Sequence, residues 1–189
     1  MTIKEIYEKI IEHQIEGIMF HEQASKMLDF LGFRGLKRWQ EYRYFAESAE
    51  MRSINRYVIN HHNIMVSEGK PKDPELIPMS WYGYKRAEVD NRTKQSALKD
   101  FFSRLKDWET ETKELYSKMY KEACAENYIA DAIKIKCLVE GVDHELKCVE
   151  RKYIEYKTVD FDLSYIMYQQ CEMHDKYKKK EKEIGIDIN

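Results

Sequence analysis

Hydrophobic positions recur every three or four residues over most of the chain, which is the period of one helical face. In the first segment the pattern runs through Ile3, Ile6, Ile10 and then Leu28 and Leu31. The spacing predicts five helices, over about residues 2–31, 35–67, 93–126, 128–157 and 161–182. At 1.5 Å per residue, each of the first two helices would be about 45 Å long.

The connections between these segments differ greatly in length. Gly32 and Gly35 mark a tight turn after the first helix, where glycine is the usual residue just past a helix end. Asn127 marks a second short turn, whereas residues 68–92 form a long connection that contains all three prolines, Pro71, Pro74 and Pro78. Short turns make consecutive helices antiparallel. We therefore predict one all-α domain over residues 1–189, a four-helix bundle with one long crossover and a short C-terminal helix.

Composition agrees with this architecture and excludes several classes. The 189 residues include only 7 Gly and 3 Pro, too few for the frequent turns of a β-sandwich or barrel. A hydrophobic fraction of 43% exceeds that of disordered chains, and a net charge of −2 gives no general attraction to nucleic acid. No run of 18 apolar residues and no signal-peptide core are present, so we expect a cytoplasmic protein without a membrane span.

Three further features carry expectations. The four cysteines are widely spaced and are expected to be reduced and mostly buried (Cys124, Cys137, Cys148 and Cys171). Gly17 interrupts a helical pattern and suggests close approach of a neighbouring element. His13 and His21 share a face of the first helix and are expected at the boundary of its core. The lysine-rich residues 176–182 are interpreted as a solvated helix end rather than a nucleic-acid site.

The stretch over residues 35–53, GLKRWQEYRYFAESAEMRS, resembles the second helix of ferritins. The segment around His13 and Glu16 resembles the metal-binding first helix of that family, and residues 67–71 resemble the start of its long crossover. Residues 130–145 resemble its fourth helix, and the last segment could match its short fifth helix. The resemblance implies a ferritin-like bundle, iron as the metal and a homo-oligomer.

Bundles of this kind hold two irons with a Glu from each of two helices and Glu-x-x-His from each of the other two. Helical spacing and the resemblance indicate a set of candidate ligands: Glu16, Glu50, Glu109, Glu140 and His144. Three residues after Glu50, however, the chain has Ser53 where the family has histidine, and a hydroxyl is a poor iron ligand.

Two functions therefore remain open. One is a ferritin-like protein that binds and oxidises Fe(II), with ferroxidase-type activity only if the carboxylate site is intact. The other is a metal-free, degenerate bundle that acts as a protein-interaction or structural module. In that second case Trp81, Tyr82 and Tyr84 of the crossover would form a contact surface, because Trp and Tyr are favoured interface anchors.

Overall fold

The computed structural model describes residues 1–183, without the side chain of Ala87; the last residues of the predicted domain, 184–189, lie outside this range. The described residues contain five α-helices and no strand. Their order is α1 (Ile3–Leu31), α2 (Arg34–His62), α3 (Asn91–Ala125), α4 (Ile129–Thr158) and α5 (Leu163–Glu183). None of these helices is both long enough and apolar enough to cross a membrane.

The turns follow the predicted chemistry. Thr2 and Glu5 form a reciprocal capping box at the start of α1, and Gly32 ends that helix in the left-handed conformation at φ 89°. Asn127, at φ 60°, separates α3 from α4. The α2 helix ends at His62, five residues before the predicted end, because Asn63 adopts the left-handed conformation and caps it.

The crossover lies along the outside of α1 and is fixed there by hydrogen bonds. Three α1 carboxylates one turn apart accept backbone N–H groups of the crossover: Glu8 from Ser67 (3.3 Å), Glu12 from Lys70 (2.8 Å) and Glu16 from Lys72 (2.8 Å). Gln23 continues the series by accepting from the N–H of Leu76 at 2.9 Å. A long segment without an α-helix is thus held by side chains, since it has no backbone ladder of its own.

The fifth helix, predicted over about residues 161–182, has 21 residues and packs on the first half of α2. A Cβ at Gly35 would lie 2.5 Å from the carbonyl oxygen of Gln170, so the contact requires glycine. Phe33 gives α2 no side-chain cap. Instead the Gln170 side chain accepts the free N–H groups of Gly35 and Leu36 at 2.9 and 3.1 Å.

The buried apolar residues form two clusters at opposite ends of the bundle. One, around the α1–α2 turn, contains Leu28, Phe102 and Leu105. The other, around the N-terminus of α1, contains Ile10 and Val58. Charged and polar side chains occupy the layer between them.

The expectation of buried cysteines is wrong. All four are free thiols; Cys124, Cys137 and Cys171 are exposed and Cys148 is half-buried. They lie on outward faces of α3, α4 and α5, where the inward positions are taken by larger apolar side chains.

Candidate functional site

Four carboxylates point into the middle layer of the bundle around a cavity of about 100 Å³. They come from three helices: Glu47 and Glu50 from α2, Glu109 from α3 and Glu145 from α4. The cavity is far smaller than the roughly 300 Å³ at which pockets for organic ligands begin. Its size therefore suits ions or a few water molecules.

A buried arginine lies among these carboxylates. The guanidinium of Arg43, whose side chain is 6% exposed, contacts Glu47 at 3.2 Å and Glu109 at 2.8 Å through Nη2. Its Nη1 contacts Glu145. Burial disfavours the charged form of Arg43, but Glu109, Glu145 and Glu47 outweigh burial and raise its pKa further. The side chain is therefore a permanent cation at the centre of the bundle.

The imidazole of His21 also contacts one of the carboxylates of this layer. The side chain is fully buried, so the expectation that His21 lies at the boundary of the core is wrong. The Nε2 of His21 donates to Glu47 at 2.9 Å, since an ionised carboxylate only accepts, and its Nδ1 is 2.7 Å from the side-chain oxygen of Gln40. Burial opposes ionisation of Glu47, yet His21 and Arg43 together lower the pKa of this carboxyl. Glu47 is thereby held as an anion.

For Glu109 and Glu50, burial outweighs the groups that favour the ionised form, so the pKa of each carboxyl is raised. Burial raises the pKa of Glu109 to about 6 despite the opposing effect of Arg43. Burial also raises the pKa of Glu50, with further contributions from Glu47 and Glu145. Glu50 lies at the edge of the cavity and accepts a hydrogen bond from Gln14 at 3.0 Å. The layer thus carries more acid groups than cations.

On α1 the cavity is bounded by neutral groups. Gln14 is 2% exposed, and His13 stacks on Trp108 with ring centroids 4.2 Å apart. Burial lowers the pKa of His13 to about 4, so the ring is neutral at pH 7. The Thr112 hydroxyl donates to the carbonyl of Trp108 at 2.8 Å, so it accepts the Nε2–H of His13 at 2.7 Å.

The structure places two of the five candidate ligands, Glu50 and Glu109, at this cavity. Three lie elsewhere: Glu16 binds the crossover, Glu140 is exposed 3.6 Å from Lys136, and His144 is exposed on the outer face of α4. The five side chains therefore do not form one cluster. Within residues 1–183 no group of three or more His, Cys, Asp or Glu side chains is arranged to hold a metal ion.

The interpretation of Ser53 as the vacant ligand position is wrong. Ser53 is exposed, and the inward pair at i, i+3 is Glu47 and Glu50. On α1 the corresponding inward position is Gly17, where a Cβ would collide with the Glu47 carboxylate and lie 3.0 Å from the Trp108 ring. The close approach predicted at Gly17 is confirmed. Reasoning from sequence missed Arg43 and Glu47.

These residues fit a di-iron centre poorly. Such a centre needs carboxylates and imidazoles free to coordinate. Here Glu47, Glu109 and Glu145 already pair with a guanidinium, and α1 contributes an amide and a glycine. A divalent cation would have to displace Arg43 before it could share those three carboxylates.

Known structures resemble this fold closely although their sequences differ. A humanized archaeal ferritin superposes with a TM-score of 0.74 at 12% identity, covering 92% of this chain and 97% of its own. An open-pore ferritin from the hyperthermophilic archaeon Archaeoglobus fulgidus has a TM-score of 0.70 at 13% identity, covering 92% and 96%. No family model and no curated protein matches the sequence. The chain has a ferritin-like fold, and the predicted all-α bundle with one crossover is confirmed.

Proposed function

We propose that this chain is a ferritin-like bundle in which Arg43 takes the place of a metal as the cation of the central carboxylate cluster. The protein then serves as a structural or protein-interaction module and does not oxidise Fe(II). The contact of one buried guanidinium with carboxylates from α2, α3 and α4 carries this proposal. Because the guanidinium is part of the chain and stays protonated, the cluster keeps its cation whether or not metal is available.

The consequence for iron is electrostatic and steric. A buried cation repels a second cation, and at an effective dielectric of about 20 two unit charges 4 Å apart interact by about 4 kcal/mol. A divalent ion at the cavity would meet about twice that repulsion from Arg43. It would find only Glu50 among the four carboxylates without an ion-pair partner in the described residues.

An interaction role draws support from apolar side chains that the bundle leaves outside. On the crossover Met79 is 83% exposed, Tyr82 68% and Tyr84 52%, whereas Trp81 packs on Phe30 at 6.0 Å. Ile129 and Ile133 at the start of α4 are 60% and 63% exposed. We propose that a second copy of this chain covers these side chains, so that the protein self-associates.

The metal content of the purified protein tests the first part. We expect iron well below one atom per chain after incubation with Fe(II) in air, and no oxo-iron absorbance. In Arg43→Gln the carboxylates lose their cation, so added Mn²⁺ should raise the melting temperature of that variant and leave wild type unchanged. One or more irons per wild-type chain, lost in Glu109→Gln, would overturn the proposal.

Light scattering coupled to size exclusion tests the second part. We expect a mass above the 22.8 kDa of one chain. The double variant Tyr82→Ser/Tyr84→Ser should lower that mass, whereas Lys178→Gln/Lys179→Gln should not. A wild-type monomer at micromolar concentration would rule out self-association.

A further inference from the structure

A second concavity lies on the outside of the bundle, between α4 and α5. Its volume is about 500 Å³, within the roughly 300–1,000 Å³ of small-molecule pockets. We call it the α4–α5 groove. Its lining includes Trp39, Arg151, Met173, Lys176, Tyr177 and Lys180.

Aromatic and apolar groups form the floor of the α4–α5 groove. Trp39 is 5% exposed and Met173 8%, and the ring of Tyr177 stacks on that of Trp39 at 6.1 Å. Burial raises the pKa of Tyr177 to about 12, so its hydroxyl stays neutral. This floor is preformed because the α2–α5 contact fixes it.

The rim of the groove carries four Lys and Arg side chains and the carboxylates of Glu155 and Glu172, which leaves an excess of positive charge. Lys152 is neutralised by Glu155 at 2.9 Å. By contrast, Arg151, Lys176 and Lys180 have no carboxylate within 4.0 Å among the described residues.

Lys176 and Lys180 lie one helical turn apart on α5 and therefore share a face of that helix. Lys176 and Lys180 both lie over the ring of Tyr177, at 5.5 and 5.6 Å from its centroid. Cation–π contact orients these ammonium groups but leaves their mutual repulsion uncompensated. An anion at this rim would relieve it.

We propose that the α4–α5 groove binds an organic polyphosphate of nucleotide size. Phosphate oxygens would contact Arg151, Lys176 and Lys180, and the organic part would lie against Met173 and Tyr177. Three cations match a ligand with several negative charges, and the guanidinium can bind phosphate in a bidentate manner. The inference does not depend on the role proposed for Arg43, since Arg151, Lys176 and Lys180 form no ion pair with the central carboxylates.

The groove contains a thiol that reports occupancy. Cys148 is half-buried and lines the groove, with its Sγ 3.8 Å from His144 Nε2. Cys124 and Cys137 are exposed and lie outside the groove. A bound ligand should therefore shield Cys148 and leave the other two accessible.

Calorimetric titration with ATP, without added metal, tests the proposal. We expect one site per chain, and binding at least tenfold weaker in Lys176→Gln/Lys180→Gln. The matched control is Lys178→Gln/Lys179→Gln, which removes the same charge from exposed positions of the same helix that do not line the groove. Its affinity should stay within twofold of wild type. Both variants change surface residues, and thermal melting checks that each is folded.

Alkylation by iodoacetamide, followed by mass spectrometry of each cysteine, gives a second measurement. Saturating ATP should slow modification of Cys148 at least fivefold and leave Cys124 and Cys137 unchanged. Pyrophosphate should bind more weakly than ATP, because it lacks a part that contacts the floor.

Several outcomes would overturn the proposal. They are absence of ATP binding at millimolar concentration, equal losses in the two lysine double variants, and unprotected Cys148 at saturation. Equal affinity for pyrophosphate and ATP would contradict the contact of the organic part. Tighter binding of duplex DNA, weakened equally in both variants, would indicate a diffuse basic surface instead.

Discussion

The ends of the bundle and its middle layer use the same inward helix positions for opposite kinds of interaction. At the ends those positions hold side chains such as Leu28, Phe102 and Ile10, all fully buried. In the middle they hold Arg43 and Glu109, which are 5% and 1% exposed. Apolar burial is non-directional and scales with area, whereas buried charges stabilise only when every partner is present. We therefore expect substitutions to be tolerated better in the apolar ends of the bundle than among the buried charges of its middle layer.

Removal of the central cation should have the largest effect. Arg43→Ala leaves Glu47, Glu109 and Glu145 without their shared partner, and loss of one member of a buried ion pair costs about 3–5 kcal/mol. We expect the free energy of unfolding at pH 7 to fall by that amount, measured by urea denaturation. In the variant the orphaned carboxyls would bind protons in the folded state, so the loss should shrink as the pH falls toward 5.

Arg43→Lys is the control, because it keeps the charge but not the fork that reaches two helices at once. We expect an intermediate loss. A change below about 1 kcal/mol in Arg43→Ala would contradict a central role for the guanidinium, since that is the scale of an exposed ion pair.

A cavity in an apolar end should lower the free energy of unfolding about as much as Arg43→Ala does, but the loss should not depend on pH. Leu105 is fully buried in the cluster around the α1–α2 turn. Leu105→Ala should lower the free energy of unfolding by about 2–5 kcal/mol. The difference between wild type and variant should be the same at pH 5 and pH 7. A strong pH dependence would show that the ends and the middle are not energetically separate.

The difference between the apolar ends and the charged middle layer also explains which features could be predicted from the sequence. Periodicity alone identified all five helices, and the positions of Gly32, Asn127 and the prolines located the turns and the crossover. Helix boundaries depend on local capping residues, and the two apolar clusters depend on hydrophobic spacing. Both kinds of signal can be identified in the sequence alone. The docking of α5 on α2 was less visible, because Gln170 caps α2 across a long sequence separation.

The middle layer could not be derived in the same way. Arg43 occupies the inward stripe of α2 between Trp39 and Glu47, which is a signal that was available in the sequence. Its meaning depends on Glu109 and Glu145, more than sixty residues away, whose rotation about their helices is set by packing. Glu16 shows the reverse case, since a carboxylate at a plausible ligand position instead binds the crossover.

His13, which is neutral and lies at the edge of the middle layer, should make the free energy of unfolding decrease at acid pH. The pKa of His13 is lowered to about 4 by burial, against an ordinary value of about 6.5. The unfolded chain therefore binds the extra proton between pH 6.5 and 4, and stability decreases as the pH falls through that range, by up to about 3 kcal/mol. His13→Phe keeps a ring against Trp108 but cannot titrate.

We expect a smaller decrease between pH 7 and 4 in His13→Phe than in wild type. The raised pKa of Glu109 acts in the opposite sense, because its folded form binds a proton below about pH 6, so the two chains must be compared directly. Identical pH profiles would show that His13 is not buried as a neutral group.

The smallest expected effects come from two glycines near the middle layer, Gly17 against packed side chains and Gly141 beside open space. At Gly17 a Cβ would meet the Glu47 carboxylate and the Trp108 ring, and Glu47 is held in place by His21 and Arg43. At Gly141 nothing lies within 4 Å of the added atom. Both positions are inside helices, so alanine brings the same gain in helix propensity, up to about 1 kcal/mol.

The two substitutions should therefore differ in sign. Gly141→Ala should raise the free energy of unfolding by roughly 0.5–1 kcal/mol. Gly17→Ala should lower it by about 1–3 kcal/mol, because overpacking forces side chains from their preferred positions. Thermal and urea denaturation of the pair give the comparison directly. If Gly17→Ala is stabilising, the carboxylate of Glu47 can move aside at little cost, and the middle layer is less rigid than its contacts with His21 and Arg43 require.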